Sequence, residues 1–252
     1  MQQQAEFIQL NEAITLINDR NESTYYLVCG TEKALMIDTG NGYDNVMEIA
    51  QGITNLPIEV VNTHGHCDHV YGNVFCEEVW MHPSDFSICE NHFEMLQSDK
   101  SKQNLKCCPL RPLYKGKIFD LGELELEVIE IQGHTPGSIG LLERKHRILF
   151  SGDALNSMVW LQLEESLPLS QVRKNISDMM LKYGDSFDYH LSGHTKVLIP
   201  KHAILDLIKG FDEILTAKNI EDEDYIWFGG IHKHHFYGEN EWQQICYDPK
   251  KL

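Results

Sequence analysis

The sequence is poor in positive charge and contains no long hydrophobic run. It has 21 lysine and arginine residues against 38 aspartate and glutamate residues, a formal net charge of −17. Such a charge repels polyanions, and the densest basic stretch, residues 144–147, is short enough for a hairpin turn. We therefore expect no nucleic-acid partner. No run of about 18 apolar residues occurs, so we also expect no membrane partner. These absences leave a small molecule as the expected partner.

The cysteines lack the spacing of a disulfide framework or of a Cys-x-x-Cys site. There are seven of them, and no basic start followed by a long apolar stretch precedes them. We therefore expect no signal peptide, reduced thiols and a cytoplasmic location. The adjacent Cys107 and Cys108 leave a strained redox disulfide open as an alternative.

Turn residues and apolar periodicity predict strands that alternate with helices. The run IEVV at residues 58–61 predicts a strand covered on both faces. Ser84 is the predicted N-cap of the helix that follows it. Residues 98–116 are the least regular stretch and predict either a flap over a pocket or a plain connector. Because there is no repeat and no Gly/Ser linker, we expect a single α/β domain over residues 1–252. Its two sheets would lie back to back with helices outside.

One short stretch is unusually rich in side chains that bind metals. In NTHGHCDHVYGN, residues 62–73, the residues His64, His66, Asp68 and His69 fall within six consecutive positions. Neutral imidazole and carboxylate oxygen are common zinc ligands. The first two histidines are two apart and would project to one side of an extended segment, whereas the other two residues follow a bend. One segment could therefore serve two metal ions.

Later turns supply single metal-binding residues in the same local setting. His134, Asp153 and His194 each follow a strand-like run, and a glycine directly precedes each of them. Glycine allows the backbone to approach closely at such a turn. We interpret these three residues as further ligands of the same site.

This ordered set of motifs resembles the metallo-β-lactamase superfamily. The motifs are THGHCDH, GHTPGS, SGDA and SGHT, with LMIDTG upstream, and they span residues 35–195. The resemblance implies an αββα four-layer sandwich with a dinuclear site at one edge of the two sheets. It also implies a role for eight residues: His64, His66 and His134 on the first metal, Asp68, His69 and His194 on the second, Asp153 bridging both, and Asp38 as a buried carboxylate that orients the ligand loops.

Two metal ions about 3.5–4 Å apart can hold a hydroxide between them and polarise a substrate oxygen. Asp68 is the predicted catalytic residue, since it could accept a hydrogen bond from the hydroxide or carry its proton to the leaving group. Zinc is the expected ion, two per chain, and iron or manganese can use the same ligands.

Departures from particular branches of the family narrow the predicted function. His66 stands where the flavin-linked di-iron branch has an acidic residue. Asp153 is present where zinc β-lactamases usually lack an aspartate, and Asn156 stands where acyl-homoserine lactonases carry a tyrosine. The remaining pattern resembles the glyoxalase-II-like hydrolases of small esters and thioesters, although the usual basic residues for glutathione are not clearly matched. We therefore predict a metal-dependent hydrolase that acts on a small-molecule ester or thioester.

Three alternatives remain open. A persulfide dioxygenase-like oxidoreductase would use nearly the same ligands with one iron at the first site. A lactonase or phosphodiesterase of the same superfamily would keep both metals. A binding protein with an inactive site is disfavoured by the complete ligand set. Metal content separates the first alternative from hydrolysis.

The segment HKHH near the C-terminal end is the predicted source of substrate contacts. If it forms a strand, His232 and His234 face one way and His235 the other. We predict that His232 or His234 contacts substrate, against the alternative of a solvated edge strand. Aromatic residues could line an apolar pocket wall or belong to the core: Trp160, Phe228 and Tyr237.

Overall fold

The computed structural model describes residues 4–97, 105–216, 222–227 and 230–252. Within these residues the chain forms seventeen strands and five α-helices. The strands are β1 (Glu6–Gln9), β2 (Ile14–Asp19), β3 (Ser23–Cys29), β4 (Ala34–Ile37), β5 (Ile58–Val61), β6 (Val79–Met81), β7 (Leu110–Pro112), β8 (Ile118–Asp120), β9 (Glu125–Glu130), β10 (Ile139–Glu143), β11 (Ile148–Gly152), β12 (Met158–Leu161), β13 (Tyr189–Ser192), β14 (Ile199–Pro200), β15 (Glu223–Ile226), β16 (Ile231–Phe236) and β17 (Gln244–Tyr247). The helices are α1 (Val46–Ile53), α2 (Cys67–Val70), α3 (Phe86–Gln97), α4 (Leu169–Tyr183) and α5 (His202–Thr216).

The first sheet has the strand order β1-β2-β3-β4-β5-β6-β7. Strands β1 to β4 pair antiparallel, and β4 to β7 pair parallel. The apolar strand β5 lies between β4 and β6, as its composition predicts. Helix α1 packs on one side of this sheet through Val46 and Ala50. The side chain of Asn45 caps the helix by accepting hydrogen bonds from the backbone N–H groups of Met47 and Glu48.

The second sheet has the order β14-β13-β11-β10-β9-β8. The hairpin of β10 and β11 turns through the basic stretch at residues 144–147, as predicted. Helices α4 and α5 cover the outer side of this sheet, and α4 packs through Val172, Ile176 and Met179. The inner side packs against the first sheet through apolar side chains of both, including Leu35, Val61, Leu141 and Phe150. The layers are therefore helix, sheet, sheet and helix, which confirms the αββα prediction.

A third sheet, with the order β12-β17-β16-β15, was not predicted. Strand β12 pairs parallel with β17, so that Trp160 lies opposite Cys246. One face of this sheet packs against α4 and α5 through Val159 and Ile245. The HKHH segment is β16, which lies between β17 and β15 and is therefore not an edge strand.

One expectation from the sequence is wrong, and two others are not tested by the structure. Ser84 is not the N-cap of α3, because it lies inside a short 3-10 turn, Pro83–Asp85, that is capped by the ring nitrogen of His82. Phe228 and residues 98–104 of the irregular stretch lie outside the described residues. The single-domain organisation over residues 1–252 stays a prediction. In the part of the chain that is described, no helix has the length and apolar composition needed to cross a membrane.

Candidate metal centre

The histidine-rich segment changes from extended chain to helix in the middle of its candidate ligands. It follows β5, and His66 occupies the N-cap position of α2 in an extended conformation. His64 therefore lies in the extended part, whereas Asp68 and His69 lie in the first turn of the helix. The predicted bend is present, and it aims the two pairs at different points.

The structure brings all seven predicted ligands together in three overlapping groups. Within each group, one candidate ligand atom per residue lies within 4.8 Å of the others. The groups are His64, His66 and His134; His64, His69 and Asp153; and Asp68, His69 and His194. The predicted convergence at one end of the sheets is therefore observed, and the binding of metal by these residues stays a prediction.

Asp153 is the residue that links the groups. Its Oδ1 lies 3.4 Å from Nε2 of His69. Its Oδ2 lies 3.1 Å from Nε2 of His194 and 3.8 Å from Nε2 of His134. The carboxylate thus stands between the first three histidines and the second set, which is the place expected of a bridging ligand.

Several polar atoms at this centre are buried without a partner. Among the described side chains, His64 Nε2, His69 Nε2 and Asp153 Oδ1 have no hydrogen bond. A buried polar atom without a partner is costly, and such atoms in proteins commonly point to an ion or water. All three atoms belong to the ligand groups described above, so the residues fit divalent metal ions.

Asp38 holds the histidine segment in place. Its Oδ1 accepts a hydrogen bond from Thr63 N at 2.7 Å, and its Oδ2 accepts one from Thr63 Oγ1 at 2.8 Å. The same Oδ2 lies 3.0 Å from Nδ1 of His69, so the ring turns Nε2 toward the centre. Asp38 has a φ of 63°, a left-handed conformation that is uncommon for a residue other than glycine. These contacts are the ones that an orienting carboxylate would make.

Asp85 joins two ligand loops and was missed in the sequence. Its Oδ2 accepts hydrogen bonds from Gly65 N at 2.9 Å and Thr135 Oγ1 at 2.6 Å. Its Oδ1 accepts one from Gly137 N at 2.7 Å. The loop that carries His64 and the loop that carries His134 are therefore fixed to one buried carboxylate. The sequence signal was an acidic residue four positions after the end of β6, just beyond His82 and Pro83.

Glu165 and the backbone of Trp160 orient the histidines of the first group. Glu165 Oε1 lies 2.7 Å from Nε2 of His66. Burial acts to raise the pKa of Glu165, but the hydrogen bonds to its carboxylate and the charges of His66 and His134 together lower it to about 2. The Trp160 carbonyl oxygen lies 2.7 Å from Nδ1 of His134. In both rings the other nitrogen is thereby left to face the centre. Neither contact could be read from the sequence, since both partners lie far along the chain.

The two ends of the centre differ in protonation. Burial lowers the pKa of His134 to about 4 and holds that of His64 well below its usual range. Burial acts in the same direction on His69, but the carboxylates of Asp68 and Asp153 outweigh it and raise the pKa of His69 well above its usual range. His64 and His134 thus offer neutral imidazoles, whereas His69 holds positive charge between carboxylates.

The loop glycines are required by the close approach of these groups. A Cβ at position 65 would lie 2.8 Å from the carbonyl oxygen of Asp85. A Cβ on Gly193 would collide with Asp153 Oδ1 and with the ring of His69. Gly133 and Gly152 are confined in the same way by Val172 and Thr63, so the glycines before His134, Asp153 and His194 were correctly interpreted as room for the backbone.

His194 borders a polar cavity and also contacts an aromatic ring. It lines a cavity of about 250 Å³ together with polar and charged residues: Asn18, Asn21, Glu22, Ser23, Thr24 and Lys196. It also meets the indole of Trp160, with ring centroids 5.4 Å apart. Tyr237 does not line this pocket, because it is buried in the core against α5 and donates a hydrogen bond to Ser157 O.

The predicted substrate contacts lie on β16. His232 and His234 do face the side opposite to His235, which is held between Asp222 and Glu213. The rings of Trp160 and Tyr225 lie between His194 and His234. Trp160 contacts His194 and is hydrogen-bonded to Tyr225, and the ring of Tyr225 contacts that of His234. Contact of His232 or His234 with substrate stays a prediction.

Known proteins share this architecture. The model of the metallo-beta-lactamase superfamily matches residues 18–85 and 109–205. An acyl-coenzyme A thioesterase, MBLAC2 of Gallus gallus, is 28% identical over 210 residues, which cover 72% of this chain and 73% of that protein. The hydroxyacylglutathione hydrolase GloC of Haemophilus influenzae is 30% identical over 138 residues, 51% of this chain and 65% of that protein. A metallo-beta-lactamase structure from Pontibacter korlensis superposes with a TM-score of 0.62 at 18% identity, covering 83% of this chain and 99% of the other.

Proposed function

Because the chain belongs to the metallo-beta-lactamase superfamily, we propose that it is a hydrolase of a small-molecule ester or thioester that holds two divalent metal ions. The proposal rests on one observation above others. Seven candidate ligands form three overlapping groups, and Asp153 reaches the groups at both ends. Zinc suits this imidazole-rich set, and iron or manganese could use the same ligands.

His64, His66 and His134 would hold the first ion, and Asp68, His69 and His194 the second, with Asp153 shared. When bound, the ions supply an activated water nucleophile at neutral pH and polarise the carbonyl oxygen of the substrate. The chain's own residues fix the geometry in which this chemistry can occur. Asp38, Asp85 and Glu165 hold the ligand loops and rings by the hydrogen bonds described above.

Asp68 is the residue proposed to carry the proton. Burial alone would raise its pKa, but the close charged ring of His69, 3.4 Å away, and the charge of His194 together lower the pKa to about 2. Asp68 is therefore ionised at neutral pH and can accept a hydrogen bond from water. Its side chain is 26% exposed, whereas that of Asp153 is 4% exposed, so Asp68 is the carboxylate better placed to reach a leaving group.

No covalent intermediate is proposed. The nearest thiol, Cys67, has a pKa raised to about 11 by burial and by the charge of Asp68. A thiol with such a pKa is protonated at neutral pH and is a poor nucleophile.

The seven cysteines, all within the described residues, are free thiols, which supports a reducing compartment such as the cytoplasm.

The relatives support the thioester class within this proposal. Two of the similar proteins are named as an acyl-coenzyme A thioesterase and a hydroxyacylglutathione hydrolase. The net charge of −17 favours a substrate whose reacting part is uncharged or cationic. We also propose that the partner is a small molecule rather than a nucleic acid or a membrane.

The test combines metal content with isotope labelling. The protein would be loaded with zinc, iron or manganese, the ions per chain would be counted, and thioesters, lactones and phosphodiesters would be screened. One turnover in ¹⁸O-labelled water should place the label in the acid product. Unlabelled acid in that turnover would mean that an enzyme carboxylate attacked first and transferred its own oxygen to the acid. One iron per chain, with oxygen uptake and sulfite from a persulfide, would instead identify the dioxygenase chemistry.

A further inference from the structure

The third sheet carries a row of aromatic rings on the face that is turned away from the helices. Adjacent side chains on a strand point to opposite faces, and residues opposite each other on paired strands share a face. Val159 and Ile245 point to the core, so Trp160 and His234 point to the open face. Tyr225, Trp227 and Phe236 join them there, as their ring contacts show.

These rings form an unbroken series, which we call the aromatic face: Trp160, Trp227, Tyr225, His234 and Phe236. Neighbouring ring centroids are 5.4, 6.2, 5.8 and 4.8 Å apart along that series. Trp160 Nε1 also donates a hydrogen bond to Tyr225 Oη at 3.3 Å. Trp227 is 44% exposed and Phe236 is 47% exposed, so the series presents aromatic surface to a ligand.

The aromatic face begins at the candidate metal centre. The indole of Trp160 meets the ring of His194, and the carbonyl oxygen of Trp160 is held by Nδ1 of His134. A substrate whose carbonyl lies at the centre can therefore extend a substituent directly onto Trp160. The cavity that His194 lines elsewhere is polar and includes Glu22 and Lys196, which does not suit an apolar substituent.

We propose that the aromatic face binds the apolar acyl group of the substrate and selects esters or thioesters with long acyl chains. The inference rests on the proposed hydrolase function and names the substrate class of the same site. Neighbouring rings along the aromatic face lie 4.8 to 6.2 Å apart, so the five rings together form a surface larger than an acetyl group. That surface accommodates a longer acyl chain. It would also bring His234 into contact with substrate, as the sequence predicts.

The expected signature is a rate that increases with acyl chain length. Each buried methylene should raise kcat/KM by up to about fourfold until the chain reaches the end of the aromatic face. The metal-loaded protein would be assayed with acetyl, butyryl, octanoyl and dodecanoyl thioesters of one small thiol, N-acetylcysteamine. Trp227→Ala should lower kcat/KM for the dodecanoyl thioester about tenfold more than for the acetyl thioester. Phe236→Ala provides a second variant at an exposed position on the same face.

The matched control is Trp242→Ala. Trp242 is 74% exposed and lies between β16 and β17, outside the aromatic face. This variant should keep the chain-length profile of the unaltered protein. A profile without length preference, or equal effects of Trp227→Ala and Trp242→Ala, would overturn the inference.

Binding measured without turnover separates this inference from the proposed function. Calorimetric titration with dodecanoate and butyrate should show tighter binding of dodecanoate, and Trp227→Ala should abolish the difference. Such binding without hydrolysis of any ester or thioester would support the aromatic face and contradict the proposed function. Hydrolysis without any chain-length difference in rate or binding would support the proposed function and contradict the role of the aromatic face.

Discussion

The carboxylate of Glu165 and the imidazole of His66 are joined by a contact of 2.7 Å between Oε1 and Nε2. The opposite nitrogen of the same ring, Nδ1, lies 2.8 Å from Nε2 of His134. Glu165 therefore fixes both the tautomer and the orientation of His66. Carboxylates in this relation to a metal-binding histidine typically contribute 10- to 100-fold in affinity or activity, roughly.

Glu165→Ala should weaken metal binding at the first group by about 10- to 100-fold, because the His66 ring loses the carboxylate that holds its Nε2. Glu165→Gln keeps a hydrogen-bond acceptor, so its metal affinity should lie between that of Glu165→Ala and that of the unaltered protein. Competition with a chromophoric chelator measures the affinity. Glu164→Ala, at the exposed neighbouring position, serves as the control. Equal affinities for the alanine variants at 164 and 165 would argue against an orienting role.

Asp153→Ala should remove one of the two metal ions and most of the activity. Asp153 lies near His134 of the first group and near His69 and His194 of the second, so its loss removes a shared ligand and part of the compensating charge. Elemental analysis of the purified variant gives the metal content. Asp178→Ala on the exposed side of α4 should leave the metal content unchanged. Two ions and normal turnover in the Asp153 variant would exclude a bridging role.

Asp85→Asn should destabilise the metal-free protein by about 2–3 kcal/mol. The amide cannot accept all three hydrogen bonds that the carboxylate accepts, so at least one buried N–H or O–H group loses its partner. Denaturant unfolding measures the change. Asp120→Asn is the matched control, because its single hydrogen bond to Gly122 N can be kept by an amide. A difference below about 0.5 kcal/mol between the two variants would contradict this account of Asp85.

His190 should make the protein sensitive to acid. It is 2% exposed, neither ring nitrogen has a partner among the described residues, and burial lowers its pKa from 6.5 to about 3. Below pH 6.5 the unfolded chain binds a proton that the folded protein excludes, so stability falls as the pH decreases toward 3.

His190→Leu removes this contribution. From pH 7.5 to pH 5 the variant should lose about 2 kcal/mol less stability than the unaltered protein. Unfolding curves at several pH values provide the comparison. His202→Leu, at an exposed position at the start of α5, serves as the histidine control. Parallel pH profiles for the His190 variant and the unaltered protein would show that His190 is not the responsible group.

The features that could be predicted from the sequence are those encoded in short local patterns. The ligand set was accessible because His134, Asp153 and His194 each follow a strand and a glycine, and because the other four ligands lie in one short segment. Asp85 and Glu165 were not accessible, since their partners are 20 and 99 residues away in the chain. An acidic residue in isolation does not reveal which distant N–H or imidazole it will meet.

The third sheet was missed for a related reason. Strand β12 is short, and its sequence does not distinguish it from a loop. Its pairing partner lies 86 positions later, since Trp160 pairs with Cys246. The parallel pairing leaves no hairpin signal between the two strands. The histidines of β16 suggested a solvated edge, although neighbours on both sides pair with that strand.

The long-range pairing of β12 with β17 also has a consequence for synthesis on the ribosome. All seven candidate metal ligands precede residue 195, and the family match ends at residue 205. Strand β12 therefore emerges with the ligand loops but has no partner until residues 244–247 have left the exit tunnel. A nascent chain could acquire metal before the third sheet closes. We expect metal capture to precede completion of the substrate site during translation.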